Sequence, residues 1–306
     1  MKFLVTGGAG FIGRWVIKRL IEEGHHIDVL DDLSNGSRAN LAEFDGTECL
    51  KNLVVADVCD KAAVEKMFDK APDICIHLAA QINVQESIEN PQKAFSVNLE
   101  GARNILEAAK RQSTKVIVVS TCMVYDSGTA ISETHRVNPK SPYAESKLRA
   151  EKLALEYWQK YKLPVTVLRP FNTYGPFQRT DAEGGVISIF LKNCINNEPI
   201  SIFGSGEQTR DFLFVEDCAS FILEAALSND AVGEIINAGT GREISINRLA
   251  KMISPHKIRY TRHPHPQSEI MRLVCDYSKA RKLLGWKPQT PLEEGIKKLN
   301  DWLRNN

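Results

Sequence analysis

Tyr143 and Lys147 are the two residues whose types and spacing point most directly to chemistry. They begin and end the segment YAESK, and residues four apart lie on one face of a helix. A neighbouring ammonium favours the phenolate and lowers the pKa of a tyrosine, so Tyr143 would serve as a base near neutral pH. An apolar run at 116–120 leads directly into Thr121, which would deliver a hydroxyl beside this phenol. The pattern predicts a proton-transfer site.

A second group of residues predicts a nucleotide site. The segment TGGAGFIG at 6–13 follows an apolar run and opens a helical stretch. Gly7 would permit the tight turn, Gly10 the close approach of a pyrophosphate, and Gly13 the close packing of helix on sheet. The phosphates would lie at the positive end of that helix. Asp31 closes the next apolar run, where a carboxylate binds both ribose hydroxyls and repels a 2′-phosphate. These residues together predict NAD rather than NADP.

Length and composition limit the class of protein that positions these residues. The chain has 306 residues, which at roughly 150 residues per domain predicts about two domains. The hydrophobic fraction of 43% and the charged fraction of 25% exclude a disordered, collagen-like or coiled-coil chain. The 39 Lys and Arg against 38 Asp and Glu give a net charge of +1, so nucleic acid is not an expected partner.

The order of the apolar runs predicts an α/β fold. Runs that are almost wholly apolar are typical of strands covered by helices on both faces of a parallel sheet. They alternate with helical stretches, among them 12–23 and 144–161. We predict a Rossmann-type doubly wound parallel sheet over 1–171, rejoined by part of 210–240, and a smaller α/β substrate-binding lobe mainly over 172–306. The apolar runs lie at 3–6, 27–30, 53–55, 74–77, 116–120 and 165–168.

Membrane, metal and disulfide sites are not predicted. The sequence has no run of 18 apolar residues for a membrane span, and its amino terminus lacks the pattern of a signal peptide. The seven cysteines stand singly without a C-x-x-C pair, which disfavours a zinc site and a disulfide framework. The histidines lack metal-binding spacing with a third ligand. We expect a cytoplasmic protein with reduced thiols and no bound metal.

Several ordered segments resemble the extended short-chain dehydrogenase/reductase family, in particular its NAD-dependent nucleotide-sugar epimerases and dehydratases. The resemblance covers nearly the whole chain and implies a Rossmann fold, bound NAD, a nucleotide-sugar substrate with a UDP-sugar favoured, and a homodimer or higher homo-oligomer. Besides YAESK, its segments are TGGAGFIG at 6–13, HLAAQ at 77–81, VNLEG at 97–101, RPFNTYGP at 169–176, QTRDF at 208–212 and SKA at 278–280.

The resemblance also implies roles for individual residues. Tyr143 would take the proton of the sugar hydroxyl, and Lys147 would hold the nicotinamide ribose. Thr121 would hydrogen-bond the reacting oxygen, and Asn98 would brace the active-site helix. The other residues implied to line the cofactor are Phe11, Ile12, Asp57, Val58, Leu78, Ala79, Ala80 and Gln81. Those implied to bind the nucleotide diphosphate are Asn172, Gly185, Val186, Arg210 and Arg272, with Ile202 and Phe203 at the base.

The residues after Thr121 depart from the pattern of that family. Common sugar 4,6-dehydratases carry an Asp-Glu pair there as acid and base, whereas this chain has Cys122 and Met123. Met123 cannot transfer a proton, and Cys122 can do so only with a perturbed pKa; otherwise it is a small buried hydrophobe. The missing pair favours a 4-epimerase. The cysteine after threonine and the RPFNTYGP segment are instead similar to dehydratases, the cysteine to a small group that acts on hexosamines.

We therefore predict an NAD-dependent enzyme that forms a 4-keto intermediate on a nucleotide sugar. A ketone at C4 acidifies the C5 hydrogen, which makes elimination of the 6-hydroxyl possible. We favour 4,6-dehydration of a UDP-hexose or UDP-N-acetylhexosamine, in which Cys122 would stand in for the missing acid. The alternative is 4-epimerisation, and a further alternative is an NAD-binding sensor without catalysis.

Overall fold

The computed structural model describes residues 1–181, 184–254, 257–263 and 265–306. Within them the strands are β1 (Lys2–Thr6), β2 (His26–Asp31), β3 (Leu50–Val55), β4 (Ile74–His77), β5 (Lys115–Val119), β6 (Gly128–Ile131), β7 (Val165–Pro170), β8 (Asn172–Tyr174), β9 (Ile200–Phe203), β10 (Thr209–Arg210), β11 (Phe212–Phe214), β12 (Ile235–Ala238), β13 (Ile244–Ser245), β14 (Ile258–Thr261) and β15 (Arg272–Cys275). The α-helices are α1 (Phe11–Glu22), α2 (Lys61–Phe68), α3 (Val84–Glu89), α4 (Pro91–Phe95), α5 (Gly101–Gln112), α6 (Pro142–Tyr161), α7 (Val186–Ile195), α8 (Val215–Leu227), α9 (Ile246–Ile253), α10 (Ser278–Leu284) and α11 (Leu292–Asn305).

One sheet of seven parallel strands forms the centre of the molecule. Its strands lie in the order β12-β7-β5-β4-β1-β2-β3. Strands added outward from β1 in both directions are characteristic of the doubly wound fold, in which ligands bind beyond the carboxyl ends of the strands. The predicted Rossmann-type sheet is confirmed.

Helices cover both faces of this sheet, because successive side chains of a strand point to opposite faces. Phe3 and Val5 of β1 belong to an apolar cluster that includes residues of α1 and α8. Leu4, between them, belongs to a different cluster with residues of α2, α5 and α6. Burial on both faces explains why these strands have almost wholly apolar sequences.

The second lobe is built from smaller sheets. Strands β13, β10, β15 and β6 form one, and the pairs β11 with β8 and β14 with β9 form two more. A separate apolar cluster joins residues of α7, α9 and α11 to β9. Strand β6 lies within 1–171, the range predicted for the first lobe. It nevertheless pairs with β15 and so belongs to the second lobe.

The chain also returns to the main sheet after residue 171. Helix α8 packs against α1. Strand β12 pairs with β7 in parallel, with Ile236 opposite Leu168. Both α8 and β12 come from the range 210–240, so the two lobes are interleaved along the sequence.

Helix α6 positions the proton-transfer pair. It begins at Pro142, a residue favoured in the first turn, and its N-cap Ser141 accepts a hydrogen bond from the backbone N–H of Ala144 at 3.2 Å. Tyr143 therefore stands in the first turn and Lys147 one turn later. Strand β5 ends at Val119, two residues before Thr121, at the same edge of the sheet as the glycine segment that follows β1.

Candidate active site

The glycine segment between β1 and α1 forms a turn that has no space for side chains. Gly7 has a φ of +70°, and a Cβ there would lie 2.6 Å from the backbone nitrogen of Ala79 at the end of β4. A Cβ on Gly13 would lie 2.2 Å from the carbonyl oxygen of Gly7. Gly10 differs, since its Cβ would meet only that same oxygen at 3.2 Å. The first and third glycines are thus required by the turn, while Gly10 leaves open space at the N-terminus of α1.

Asp31 fixes this turn to the end of β2. Its side chain is 5% exposed, and its two oxygens accept hydrogen bonds from the backbone N–H groups of Ala9 and Leu33, each at 2.8 Å. Burial raises the pKa of the Asp31 carboxyl, and the two N–H donors oppose that effect. The carboxylate is held beside the glycine turn, where the sequence predicts a ribose.

A cavity of about 460 Å³ runs along the carboxyl ends of these strands. Its volume is that of a small-molecule or cofactor site. The predicted cofactor residues that line it are Gly7, Gly10, Phe11, Ile12, Gly13, Asp31, Asp57, Val58, Leu78, Ala79, Ala80, Gln81, Tyr143 and Lys147. The open helix N-terminus at Gly10 and the fixed Asp31 carboxylate fit the pyrophosphate and the ribose of NAD.

Asn98 lies behind the wall of this cavity. It is in a π-helical turn, Ser96–Glu100, and is 2% exposed. Its amide accepts from the backbone N–H of Gln81 at 2.8 Å, and donates to the carbonyl of Gln81 at 3.1 Å and to the hydroxyl of Ser146 at 2.9 Å. Asn98 therefore joins the end of β4 to helix α6, which is the bracing position that the resemblance implies.

Tyr143 lines the cavity, and Thr121 is close enough to the phenol to act on its pKa. Burial raises the pKa of Tyr143 to about 12, and the nearby Cys122 adds to that rise. Burial lowers the pKa of Lys147 to about 8. We expected Lys147 to lower the pKa of Tyr143. In the protein without cofactor or substrate, the pKa of Tyr143 is raised instead. Lys147 is not among the groups that act on the Tyr143 phenol; its charge acts on His77, whose pKa is lowered to about 3 chiefly by burial.

Cys122 follows Thr121, at the position where the resemblance implies an acid in the common dehydratases. Its side chain is 2% exposed, and burial raises the pKa of the thiol to about 12. Arg210 opposes this rise and Asp211 adds to it, so both groups lie close enough to act on the sulfur. Met123 is half-buried, and its backbone N–H donates to the hydroxyl of Thr121 at 3.1 Å. At neutral pH the thiol of Cys122 stays protonated beside Tyr143.

The two predicted diphosphate-binding arginines have different surroundings. Arg210 is half-buried, and its guanidinium donates to the carbonyls of Thr209 and Ile270 at 2.8 and 2.7 Å. Arg272 is exposed and forms an ion pair with Glu243. Because β10 and β15 pair with Thr209 opposite Arg272, both arginines lie on one small sheet. Arg210 is placed near Cys122, whereas the guanidinium of Arg272 is held by Glu243.

The remaining predicted substrate residues lie in the second lobe and do not line the described part of the cavity. The amide of Asn172 donates to the carbonyl of Asp211 at 3.4 Å. Gly185 caps α7, and Val186 is the first residue of that helix.

The predicted base-binding pair, Ile202 and Phe203, is split between two environments. Ile202 is fully buried in the core of the second lobe, so its side chain cannot contact a base. Phe203 is 44% exposed, with its ring 5.9 Å from that of His263. Adjacent residues of β9 point to opposite faces, which separates the pair.

Sequence reasoning missed several residues that line or support the cavity. Phe177 and Gln178 reach it from the segment after β8. Gly36 packs against the glycine turn, since a Cβ there would be 2.6 Å from the carbonyl oxygen of Ala9. The only sign of this in the sequence is that Gly36 follows shortly after Asp31. Nothing in the sequence around Glu151, one turn after Lys147, indicates that it supports the site. Its partners Ser120 and Arg169 are distant along the chain.

The described residues form neither a metal-binding cluster nor a membrane-spanning helix. Among the described residues, no three His, Cys, Asp or Glu side chains are grouped so that they could hold a metal ion. Within the same part of the chain, no helix combines the length and the apolar character that a bilayer crossing requires.

Comparison with known proteins places these features in a family. Residues 3–239 match the model of the NAD dependent epimerase/dehydratase family. A putative UDP-glucose 4-epimerase of Methanocaldococcus jannaschii is 39% identical, over 99% of this chain and 98% of its own.

Solved structures also match the chain over its whole length. Pal from Bacillus thuringiensis matches with 50% identity and a TM-score of 0.99, over 100% of this chain and 99% of its own. The dTDP-glucose 4,6-dehydratase DesIV of Streptomyces venezuelae, solved with NAD bound, matches with 28% identity and a TM-score of 0.94, over 100% and 98%. Epimerases and dehydratases are thus both among the relatives. The predicted resemblance and the predicted cofactor, NAD, are confirmed: the chain belongs to the NAD-dependent epimerase/dehydratase family.

Proposed function

We propose that this protein oxidises the 4-hydroxyl of a UDP-sugar and then converts the resulting 4-ketone. The observation that carries the proposal is the position of Tyr143 and Lys147, one turn apart on α6 and both lining the cavity, with Thr121 close enough to act on the pKa of the phenol. When bound, NAD supplies a hydride acceptor at this position and returns the hydride later. The preference for UDP rests on the similarity to UDP-glucose 4-epimerases.

The chain's own residues divide the remaining work. Gly10 at the start of α1 and Asp31 would hold the pyrophosphate and the adenosine ribose. Thr121 would hydrogen-bond the reacting oxygen while Tyr143 removes its proton. A phenol with a pKa of about 12 is a weak acid at neutral pH, so base catalysis requires a positive charge near the phenolate. The ammonium of Lys147, with a pKa of about 8, is charged at neutral pH and can supply it.

We favour 4,6-dehydration of a UDP-hexosamine-like sugar as the fate of the ketone. The support is the position of the Cys122 thiol, which is close enough to Tyr143 to raise the pKa of the phenol. A thiol that stays protonated can donate a proton to a departing 6-hydroxyl. It cannot remove the C5 hydrogen, so solvent water would take that proton, and the thiolate left when the 6-hydroxyl departs as water would regain a proton from solvent.

The second candidate is 4-epimerisation, and a different observation favours it. Among the described groups that shift the pKa of Tyr143, there is no carboxylate that could take the C5 proton. An epimerase needs no such base, because the ketone only rotates and takes the hydride on its other face.

Reaction in D₂O separates the two fates. The purified protein is incubated with a panel of UDP-, dTDP- and GDP-sugars, and the products are identified by NMR. Dehydration places deuterium at C5 of a 4-keto-6-deoxy product and moves the original C4 hydrogen to C6. Epimerisation returns that hydrogen to C4 and leaves C5 protiated. An epimer without label at C5 would refute dehydration, and no turnover of any sugar would refute the proposed function.

The role of Cys122 has its own test. Cys122→Ala should slow elimination more than it slows the initial oxidation at C4. The matched control is Cys218→Ala, because Cys218 is another buried thiol whose pKa is raised to about 12, in helix α8. Equal effects of the two substitutions on elimination would leave Cys122 as a packing residue.

A further inference from the structure

Glu151 is a buried carboxylate on the active-site helix, one turn after Lys147. Its side chain is 1% exposed, and both of its oxygens are hydrogen-bonded. One accepts from the hydroxyl of Ser120 and from Nε of Arg169, the latter at 3.0 Å; the other accepts from a terminal nitrogen of Arg169. Ser120 follows β5 and lines the cofactor cavity, while Arg169 is in β7. Glu151 therefore joins α6 to two central strands at the edge of the cavity.

Stability is a poor explanation for this arrangement. A buried ion pair seldom stabilises a fold more than well-packed apolar residues do, because both charges lose their hydration. This pair is also incompletely satisfied, since one terminal nitrogen of Arg169 is buried without a hydrogen-bond partner in the described chain. The Arg169 guanidinium instead lies over the ring of Tyr125, 4.6 Å from its centroid. A costly carboxylate next to the proton-transfer pair suggests a role in the reaction.

The charge of Glu151 acts on Lys147. Burial lowers the pKa of the Lys147 ammonium to about 8, and Glu151 is the group that opposes this. His77, at the end of β4, is the other titratable group coupled to Lys147, and it is neutral at physiological pH because its pKa is lowered to about 3. Tyr143, on the same helix, is likewise neutral in the protein alone. Among the described groups facing Lys147, the negative charge comes from Glu151.

We propose that Glu151 is a positioning residue for the C4 chemistry: from one turn further along α6 it keeps the Lys147 ammonium charged, and it is itself held in place by Ser120 and Arg169. This inference rests on the proposed function, in which the Lys147 charge stabilises the Tyr143 phenolate. Glu151 touches neither the substrate nor the reacting oxygen; it acts through Lys147.

Titration of Lys147 tests the inference directly. Protein carrying ¹³Cε-labelled lysine is titrated by NMR, and the Lys147 signal is identified as the one missing from Lys147→Arg. An opposite charge nearby shifts a pKa by about 1–3 units, so Glu151→Gln should lower the Lys147 midpoint by about one pH unit or more. The pH at which turnover falls on the alkaline side of its pH profile should decrease by the same amount. Glu145→Gln, which removes a half-buried carboxylate paired with Arg149 on the same helix, should change neither.

A second variant covers the case in which Glu151→Gln does not fold because Arg169 is left unpaired. The double variant Glu151→Gln with Arg169→Gln removes both charges and still lacks the carboxylate. A Lys147 midpoint in folded Glu151→Gln within about 0.3 pH units of wild type would overturn the inference, and so would a double variant whose midpoint equals that of Arg169→Gln, which keeps the carboxylate. The titration needs no substrate, so absence of turnover in the wild type would refute the proposed function while leaving this result decisive.

Discussion

Replacing Gly13 by alanine should disrupt both the glycine turn and NAD binding. The new Cβ would lie 2.2 Å from the carbonyl oxygen of Gly7 and 2.7 Å from Cα of Gly8. Carbon atoms in contact normally lie about 3.5 Å or more apart, so the start of α1 must move by about 1 Å. Both obstructing atoms are backbone, which cannot rotate away.

The structure gives a magnitude for this change. Overpacking of a rigid site costs about 1–3 kcal/mol, and in a protein of this size each kcal/mol lowers the Tm by roughly 2–4 °C. Gly13→Ala should therefore lower the Tm of the NAD-free protein by about 5 °C. The displaced helix N-terminus should also bind NAD at least about tenfold more weakly, which corresponds to about 1.4 kcal/mol.

Gly10→Ala is the matched control. Its Cβ would meet only the Gly7 oxygen at 3.2 Å, and its φ of −79° is ordinary for alanine. The NAD-free protein should keep its Tm within about 1 °C, but NAD affinity should fall because the methyl group occupies the space left for the pyrophosphate. Thermal unfolding without NAD and calorimetric titration with NAD measure the two quantities separately. Gly13→Ala with wild-type Tm and affinity, or Gly10→Ala with the larger loss of Tm, would refute the reasoning.

Three further predictions concern the same site. Tyr143→Phe should fold and retain NAD but lose at least about 10²-fold in turnover; a near-normal rate would exclude Tyr143 as the base. Asp31→Asn should narrow the preference for NAD over NADP in binding measurements, since the charge that repels a 2′-phosphate is gone; an unchanged preference would contradict this. His77 is neutral in the fold, with a pKa near 3, whereas in the unfolded chain it titrates near 6.5. The unfolded state thus binds more protons between these values, and stability should fall as the pH falls from about 6.5 to 3. The urea midpoint should therefore decrease from pH 7 to pH 5 by more in the wild type than in His77→Gln, and equal decreases would exclude His77 as the cause.

The main sheet could be predicted from the sequence because its strands are buried on both faces. Such strands have few polar residues, so their positions are visible as apolar runs, and the predicted limits of 74–77 coincide with strand β4. The glycine turn was predictable for a related reason. Its backbone contacts leave no space for a side chain at Gly7 or Gly13. Both positions must therefore be glycine, and these glycines are visible in the sequence.

Pairings between distant segments were not predictable in this way. Strand β6 pairs with β15, and Glu151 meets Arg169, only because the fold brings these segments together. The pKa of Tyr143 depends on how much the whole site excludes water, which no spacing of residues reveals. The opposite orientations of Ile202 and Phe203 follow from strand periodicity alone and could have been inferred. The predicted homo-oligomer and the domain limits stay predictions.

The late position of β12 has a consequence for biosynthesis. Strand β7 ends at Pro170, but its outer neighbour β12 begins only at Ile235. While the ribosome makes the intervening residues, one side of β7 has unpaired backbone groups, and an uncovered edge strand is a site of aggregation. Helix α8, which covers α1, also emerges in this interval. The first lobe therefore cannot complete its fold until much of the second has been translated, and a nascent chain stalled before β12 should depend on chaperones.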